Sequence, residues 1–356
     1  MSTSASMRGV LLTGHGGLDK LEVRDDIPVP APRRGDVLIR VGAAAVNNTD
    51  INTRIGWYSR RHAPGEEGVA DDASWGGKPL DLPRIQGIDV CGEIVAVGVG
   101  VAAARIGERV LVEPCLREAG GQPLDPPWYL GSECDGGFAE YVVVAARHAH
   151  RIDSPLTDVE LASFPCSYST AENLLHRAGL AAGERVLITG ASGGVGSAAI
   201  QLARLRGAEV IAVTRPAKAE ALRALGAAHT LSRDDAPAAA LGAGSVDVVV
   251  DLVGGDGFPG LLEVLRPGGR YATSGAIAGA LVTLDLRTLY LKDLTMLGCT
   301  ALDAAVFPAL VGYIAQGRLR PLVAGTFPLA EIAAAQTAFL TKQHVGKLVL
   351  RVAAVT

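Results

Sequence analysis

The sequence predicts an α/β protein in which a doubly wound parallel sheet is inserted into a β-rich domain. Three observations carry this: short alternating strands up to about residue 156, continuous apolar runs alternating with helical segments after it, and a closing stretch that mixes strand and helix. At 356 residues the chain exceeds the roughly 250–300 at which single cores stop growing, so two domains are expected. A content of 49% hydrophobic and 20% charged residues suits a globular chain rather than a disordered one.

In chain order, residues 8–12, 21–25, 36–46, 92–97, 109–112 and 139–144 are short apolar or alternating runs separated by Gly, Pro and Asp, which reads as strands and turns. After Leu156 the runs 185–189, 209–213, 246–252, 269–274 and 294–297 are continuously apolar, as strands buried on both faces require. Helix candidates 196–206, 217–225 and 258–265 lie between them. The resulting βαβαβ order, with right-handed crossovers, builds a doubly wound sheet of nucleotide-binding type. A helix over 304–316, a strand over 322–327, a helix over 329–342 and a strand over 346–352 then belong with the first domain. The chain is therefore expected to leave that domain near Tyr168 and return near Ala301, giving residues 1–167 and 301–356 to one domain and 168–300 to the other. Residues 56–83 and 114–137 read as long loops, which in compact domains are often functional.

Thirty-three Lys and Arg against 37 Asp and Glu leave a formal charge of −4, which argues against a general nucleic-acid binder. Cys91, Cys115, Cys134, Cys166 and Cys299 are widely spaced and odd in number, so they make no disulfide framework, and a reducing cytoplasm fits them. No secretory segment opens the chain and no apolar run reaches the ~18–20 residues of a membrane span. A soluble protein with no membrane partner is expected.

The run Thr189, Gly190, Ala191, Ser192, Gly193, Gly194, Val195, Gly196, Ser197 stands between a buried strand and an amphipathic helix. Gly193 and Gly196 let backbone approach a pyrophosphate and helix pack on strand, and the N–H groups from Val195 to Ser197 point at the negative charge. Ala191 takes the first small-residue position, and Ser192 and Gly194 complete the turn. The following strand carries no acidic side chain to accept the ribose hydroxyls. It ends instead in Thr214 and Arg215, with Lys218 one helical turn on. A hydroxyl and two cations form a cradle for a 2′-phosphate, so NADP(H) is the expected cofactor. The same two charges also read as ordinary solvated residues at a helix start.

With these residues in view the chain resembles the medium-chain dehydrogenase/reductase superfamily, which includes zinc alcohol dehydrogenases and zinc-free quinone oxidoreductases. The resemblance rests on Ala44-Ala45-Val46-Asn47-Asn48-Thr49-Asp50, on Gln86-Gly87-Ile88-Asp89-Val90-Cys91-Gly92-Glu93, on Arg105-Ile106-Gly107-Glu108-Arg109-Val110, on Gly136-Gly137-Phe138-Ala139-Glu140-Tyr141 and on the glycine turn. It implies a GroES-like, β-rich catalytic domain, an inserted Rossmann domain and an active site in the cleft between them. The zinc branch ligates its catalytic metal with a Cys where this chain has Asn47, a His where it has Ile88, and a Cys corresponding to Cys166. Zinc wants three ligands of Cys, His or carboxylate type, so no metal is expected, although a rearranged Asp89–Cys166 site stays open. The cysteines of a structural zinc lobe are missing as well. Without a Lewis acid for a developing alkoxide, the easier acceptors are conjugated, namely quinones and α,β-unsaturated carbonyls.

The resemblance also implies site residues. Asn47 would donate its amide to the substrate oxygen or merely cap a turn. Thr49 reads as a proton donor or a plain strand-end residue, and Tyr58 as a phenolic donor or a hydrophobic lid. Asp50 and Asp89 read as supports that orient Asn47 and its loop rather than as acid catalysts, unless burial raises the pKa of one of them. Thr170 would pack on the nicotinamide, Arg233 would extend the phosphate cradle, and Gly254 would lie near the nicotinamide ribose. Gly275, Ala276, Ile277, Gly298, Cys299 and Thr300 would offer backbone groups to the carboxamide. A homodimer or homotetramer is implied, joined through a sheet edge at residues 289–297. The expected activity is NADPH-dependent hydride transfer to a small-molecule quinone or enone. An alcohol dehydrogenase or carbonyl reductase with an atypical zinc site, and a low-turnover NADPH-binding protein, stand as alternatives.

Overall fold

Residues 6–59 and 79–352 are described by a computed structural model. The first part contains β1 (Ser6–Leu12), β2 (Leu21–Pro28), β3 (Asp36–Ala45), α1 (Asn48–Arg54), β4 (Arg84–Ile85), β5 (Asp89–Val97), β6 (Arg109–Val112), β7 (Cys115–Ala119), β8 (Gln122–Tyr129), β9 (Tyr141–Ala145), β10 (Ala149–Arg151), α2 (Asp158–Leu161) and α3 (Pro165–Arg177). The middle contains β11 (Arg185–Ile188), α4 (Gly194–Leu205), β12 (Glu209–Thr214), α5 (Ala219–Leu225), β13 (His229–Ser232), α6 (Pro237–Leu241), β14 (Val246–Asp251), α7 (Phe258–Val264), β15 (Leu265–Thr273), α8 (Leu286–Leu291) and β16 (Thr295–Gly298). The chain closes with α9 (Val306–Ala315), β17 (Val323–Pro328), α10 (Ile332–Leu340) and β18 (Lys347–Arg351).

Two compact units result. One comprises Met1–Cys166, Val311–Gln343 and Lys347–Thr356, the other Ser167–Leu310 and His344–Gly346. The second unit runs past the expected return at Ala301. The side chain of Asn173 explains this, because its amide donates to Ala301 O at 3.1 Å and its oxygen accepts from Asp303 N at 3.1 Å, tying the segment to α3. Val306, Phe307 and Leu310 are then buried.

In the first unit β3 is the central strand. Its sequence, Asp36 to Ala45, is buried at nearly every position on both faces, and the small Ala43, Ala44 and Ala45 let strands approach on each side. β5 and β18 flank it, both antiparallel, so that Ala45 faces Asp89 on one side and Val349 on the other. This register brings the residues just after β3 beside the first residues of β5 and β18. The core around Val37, Ile39, Ile94, Val110, Phe138 and Leu350 is fully buried, each side chain contributing about 1.5–3 kcal/mol of transfer free energy. Gly87 has φ +105°, and a Cβ there would come 2.5 Å from the Phe138 ring, so Phe138 and the turn before β5 lock each other.

The segment 114–137, expected to be a loop, contains an antiparallel hairpin of β7 and β8 with Cys115 opposite Tyr129. Gly120 and Gly121, at φ +57° and +76°, supply the two left-handed residues that a tight hairpin turn needs, while Pro123, Pro126 and Pro127 mask the second strand's pattern. At its base, Glu113 accepts from Arg117 and pairs with His148, both at 3.0 Å. Burial alone would raise the Glu113 carboxyl, but the bonds from His148 and His150 outweigh it and hold it near about 2. Of the other expected loop, 56–83, residues 60–78 lie outside the described residues.

The second unit is a six-stranded sheet in the order β13-β12-β11-β14-β15-β16, with every neighbouring pair parallel. The order reverses between β11 and β14, and in such sheets ligands bind outside the carboxyl ends at that switch. The edge strand is shorter than expected. Residues 289–297 are not one strand, because Asp285 caps α8 by accepting from Arg287 N at 2.9 Å and the chain becomes extended only at Thr295. No helix among the described residues is long and apolar enough to cross a membrane.

Candidate active site

In the second unit the glycine turn joins β11 to α4. Gly190 has φ +57°, and a Cβ on Gly196 would lie 2.5 Å from Ala191 Cα and from Gly190 O, so only glycine lets α4 come this close to the end of β11. Ala191 is buried and donates to Val213 O, Gly193 caps α4, and the first helical bond is Ser197 N–H to Gly193 O at 2.9 Å. The amides of Gly194, Val195 and Gly196 precede that bond, the arrangement that favours an anion at a helix start. Ser192 accepts at its carbonyl from Gly346 N at 3.3 Å.

Next to the turn, Thr214 pairs with Ser232 across β12 and β13, and Arg233 donates its backbone N–H to Thr214 O at 3.1 Å. Thr214, Arg215 and Arg233 therefore gather at two adjacent strand ends, with both arginines exposed. Thr214 Oγ1 is buried without a hydrogen-bond partner among the described residues, and Thr214 lines a cavity of about 290 Å³ with Pro216, Ala219, Arg223, Thr230 and Ser232. Lys218 is tied to the glycine turn. Its ammonium donates to His344 O at 2.7 Å and reaches Ser192 Oγ at 3.4 Å, so it braces the glycine turn; burial, with Arg215 nearby, lowers its pKa.

The remaining cofactor candidates follow the carboxyl ends of β14, β15 and β16. Gly254, at φ +63°, donates to the Asp251 carboxylate and pairs with Gly279. Gly275 accepts at its carbonyl from Thr273 Oγ1 at 3.2 Å, with Ala276 next to it and Ile277 exposed. Cys299 donates its N–H to Thr273 O at 2.9 Å; burial raises its thiol, which makes it an inert wall between Gly298 and Thr300. Thr170 lies on α3, half-buried. Asp251 was missed by the sequence reading. Fully buried, it holds Thr189 Oγ1 and Tyr271 OH at 2.6 Å and Val253 N at 2.9 Å, and so shapes three of these turns. Its signal is an acid closing the run Val248-Val249-Val250.

In the first unit, Asn47, Asp89 and Lys347 meet where the register of β3, β5 and β18 places them. Lys347 Nζ pairs with Asp89 Oδ2 at 2.8 Å, with side-chain exposures of 3% and 0%, and donates also to Asn47 Oδ1. Asn47 Nδ2 donates to Asp89 Oδ2 at 2.8 Å and to Ala45 O at 3.1 Å. Cys166 N donates to Asp89 Oδ1 at 2.6 Å, which fixes the start of α3. Both amide hydrogens of Asn47 are thus committed, and the expected donation to a substrate oxygen is not on offer. Asn47 is a structural hub. Lys347 was not singled out in the sequence, where it reads as the charge that opens a strand.

Asp50 accepts from Asn47 N at 2.8 Å and is buried. Burial raises its carboxyl to about 7, against the N–H groups of Asn47 and Gly87 and the charge of Lys347. Thr49, in the first turn of α1, is brought to Tyr58, whose hydroxyl bonds the side chains of Thr49 and Asn52. Burial raises the Tyr58 pKa, so the phenol keeps its proton at neutral pH. Trp57 packs edge-on against Tyr58, with ring centroids 5.4 Å apart.

A model of the alcohol dehydrogenase GroES-like domain matches residues 33–154, and one of the zinc-binding dehydrogenases matches residues 194–316. The acryloyl-coenzyme A reductase of Metallosphaera sedula is 31% identical over 355 residues, covering 97% of this chain and 99% of that one. The chain belongs to the medium-chain dehydrogenase/reductase superfamily. Within it the chain falls in the quinone oxidoreductase-like branch. Human quinone oxidoreductase is 29% identical over 342 residues, covering 92% of each chain. The crystal structure of a candidate alcohol dehydrogenase from Sinorhizobium meliloti 1021 is 49% identical, with a TM-score of 0.90 over 99% of this chain and 98% of that one.

Members of this superfamily are oxidoreductases that bind a nicotinamide cofactor. The glycine turn, closed to any Cβ at Gly196, and the unpartnered Thr214 hydroxyl fit such a dinucleotide. A catalytic zinc fits poorly. Ile88 has no donor atom, Asn47 is committed through its whole amide, and both oxygens of Asp89 are engaged, one of them by an ammonium.

Proposed function

We propose that this dehydrogenase/reductase uses NADPH to reduce a quinone or an α,β-unsaturated carbonyl, with no metal in the site. The observation that carries the reading is the Lys347 ammonium seated on Asp89 and Asn47, the region where a zinc enzyme of the superfamily needs metal ligands. Reduction of a simple ketone calls for an electrophile at the developing alkoxide. A conjugated acceptor spreads that charge, and hydrogen bonds are enough to hold it. The names of the two curated relatives, a quinone oxidoreductase and an acryloyl-coenzyme A reductase, support the same acceptor class.

A bound nicotinamide supplies the hydride. The amides of Gly194 to Gly196 would receive the pyrophosphate, and Thr214, Arg215 and Arg233 the 2′-phosphate that selects NADPH. Tyr58, protonated and hydrogen-bonded with Thr49, is the donor to the substrate atom that takes up charge. A homodimer or homotetramer joined through the β16 edge, and a reducing cytoplasmic setting in keeping with five cysteines that form no disulfide, complete the reading. Deuteride transfer from NADPH labelled at C4 tests it: with an enone, deuterium should appear at the β-carbon. Label at the carbonyl carbon would make the protein a carbonyl reductase instead.

A further inference from the structure

We infer that Lys347 is a positioning residue, which sets the first turn of α1, and with it Thr49 and Tyr58, by holding the amide of Asn47. For its catalytic consequence the inference rests on the function proposed above; its geometry stands apart from that reading. Asn47 immediately precedes α1, so its orientation fixes where the helix begins. Three of its groups hold it: the side-chain N–H groups given to Ala45 and Asp89, the backbone N–H given to Asp50, and Oδ1, which accepts from Lys347. Lys347 is the one cation among these partners, and it also neutralises Asp89, whose other oxygen fixes Cys166 at the start of α3. The far end of α1 is anchored separately, by Arg54 to Gly16 O at 2.5 Å and to Gln336 at 3.0 Å. Loss of Lys347 should therefore loosen the first turn of α1 and leave its last turn in place. Thr49 lies in that first turn and carries the bond to Tyr58.

Lys347→Met alone strands a buried carboxylate and is expected to unfold the chain more readily. The decisive protein is the double variant Asp89→Asn/Lys347→Met, which buries no lone charge, made alongside Asp89→Asn. Two readouts are taken. Hydrogen exchange by mass spectrometry over residues 47–54 should be faster in the double variant near Asn47 and unchanged near Arg54. With conjugated acceptors, kcat should fall by about tenfold or more while KM for NADPH stays constant, as expected of a displaced donor; Lys347→Arg should recover part of it. Unchanged exchange at the start of α1, or a double variant with wild-type kcat, would overturn the inference and reduce Lys347 to a counter-ion for Asp89. If the wild-type protein reduces no conjugated acceptor, the function proposed above fails, and the exchange measurement still decides the role of Lys347.

Discussion

Thr49 and Tyr58 are hydrogen-bonded through their side chains, one from the first turn of α1 and the other from the turn that follows the helix. Both are candidate donors, and the Asp89 carboxylate is held by other residues, Asn47, Cys166 and Lys347. Tyr58→Phe should therefore lower kcat by about 10²-fold with little change in KM for NADPH, since a positioned acid is worth ~10²–10⁴ in rate. Thr49→Val should cost less, because the phenol remains. Steady-state kinetics on an enone checks both, and a Tyr58→Phe enzyme with wild-type kcat would remove the phenol from the chemistry.

Asp50 makes stability depend on pH. Its folded-state pKa, about 7, lies above the ordinary carboxylate value, so the folded protein binds a proton that the unfolded chain releases. The stabilisation is complete below about pH 4 and is lost as pH rises toward 7. Asp50→Asn, which keeps an acceptor for Asn47 N, should flatten that slope, removing about 2–4 kcal/mol of the change between pH 5 and pH 8. Urea unfolding of both proteins at pH 5 and pH 8 measures it, and equal slopes would show that Asp50 is ionised throughout.

Much of this was legible in the sequence, and the reasons differ from place to place. The glycine turn was readable because strand, turn and helix are contiguous, so the pattern and the site are one local object. The candidate corner at Thr214 and Arg215 is local in the same way, so its residues can be named from the sequence without knowing the sheet order. The Asn47–Asp89–Lys347 cluster was not, since it depends on the register of β3, β5 and β18, which lie far apart in the chain. Asn47 reads from the sequence as a donor or a turn cap, and the partners that engage its amide only come together through the pairing of those strands. The bond of Lys218 to His344 is hidden for the same reason, the two residues being distant in sequence. The β7–β8 hairpin was hidden by its prolines, although Gly120-Gly121 marks its turn.

Arg215 and Arg233 should set cofactor preference. Arg215→Ala/Arg233→Ala is expected to raise KM for NADPH about 10–100-fold, from the loss of charge-assisted bonds of about 1.5–3 kcal/mol each with partial compensation by solvent, while KM for NADH barely moves. Paired titrations with the two cofactors test this. Equal losses for both would place the arginines at the pyrophosphate or outside the site.

Met296 of the edge strand β16 is exposed, as are Leu281, Leu286, Tyr290 and Leu291 in the segment that precedes it, with Leu281 91% exposed. A second copy pairing there would cover them by a two-fold axis. Light scattering should give a dimer or tetramer, and Leu291→Glu/Met296→Lys should give a monomer. A wild-type monomer at working concentration would rule this assembly out.

The most direct test of the account is NADPH oxidation at 340 nm by the purified protein with a quinone, an enone, an aldehyde and a simple ketone, each with and without chelator. Turnover confined to the quinone and the enone, and indifferent to chelator, is the predicted result. Turnover of the aldehyde or ketone that chelator abolishes would contradict it, and would mean that Asp89 and Cys166 part from their present partners to hold a metal.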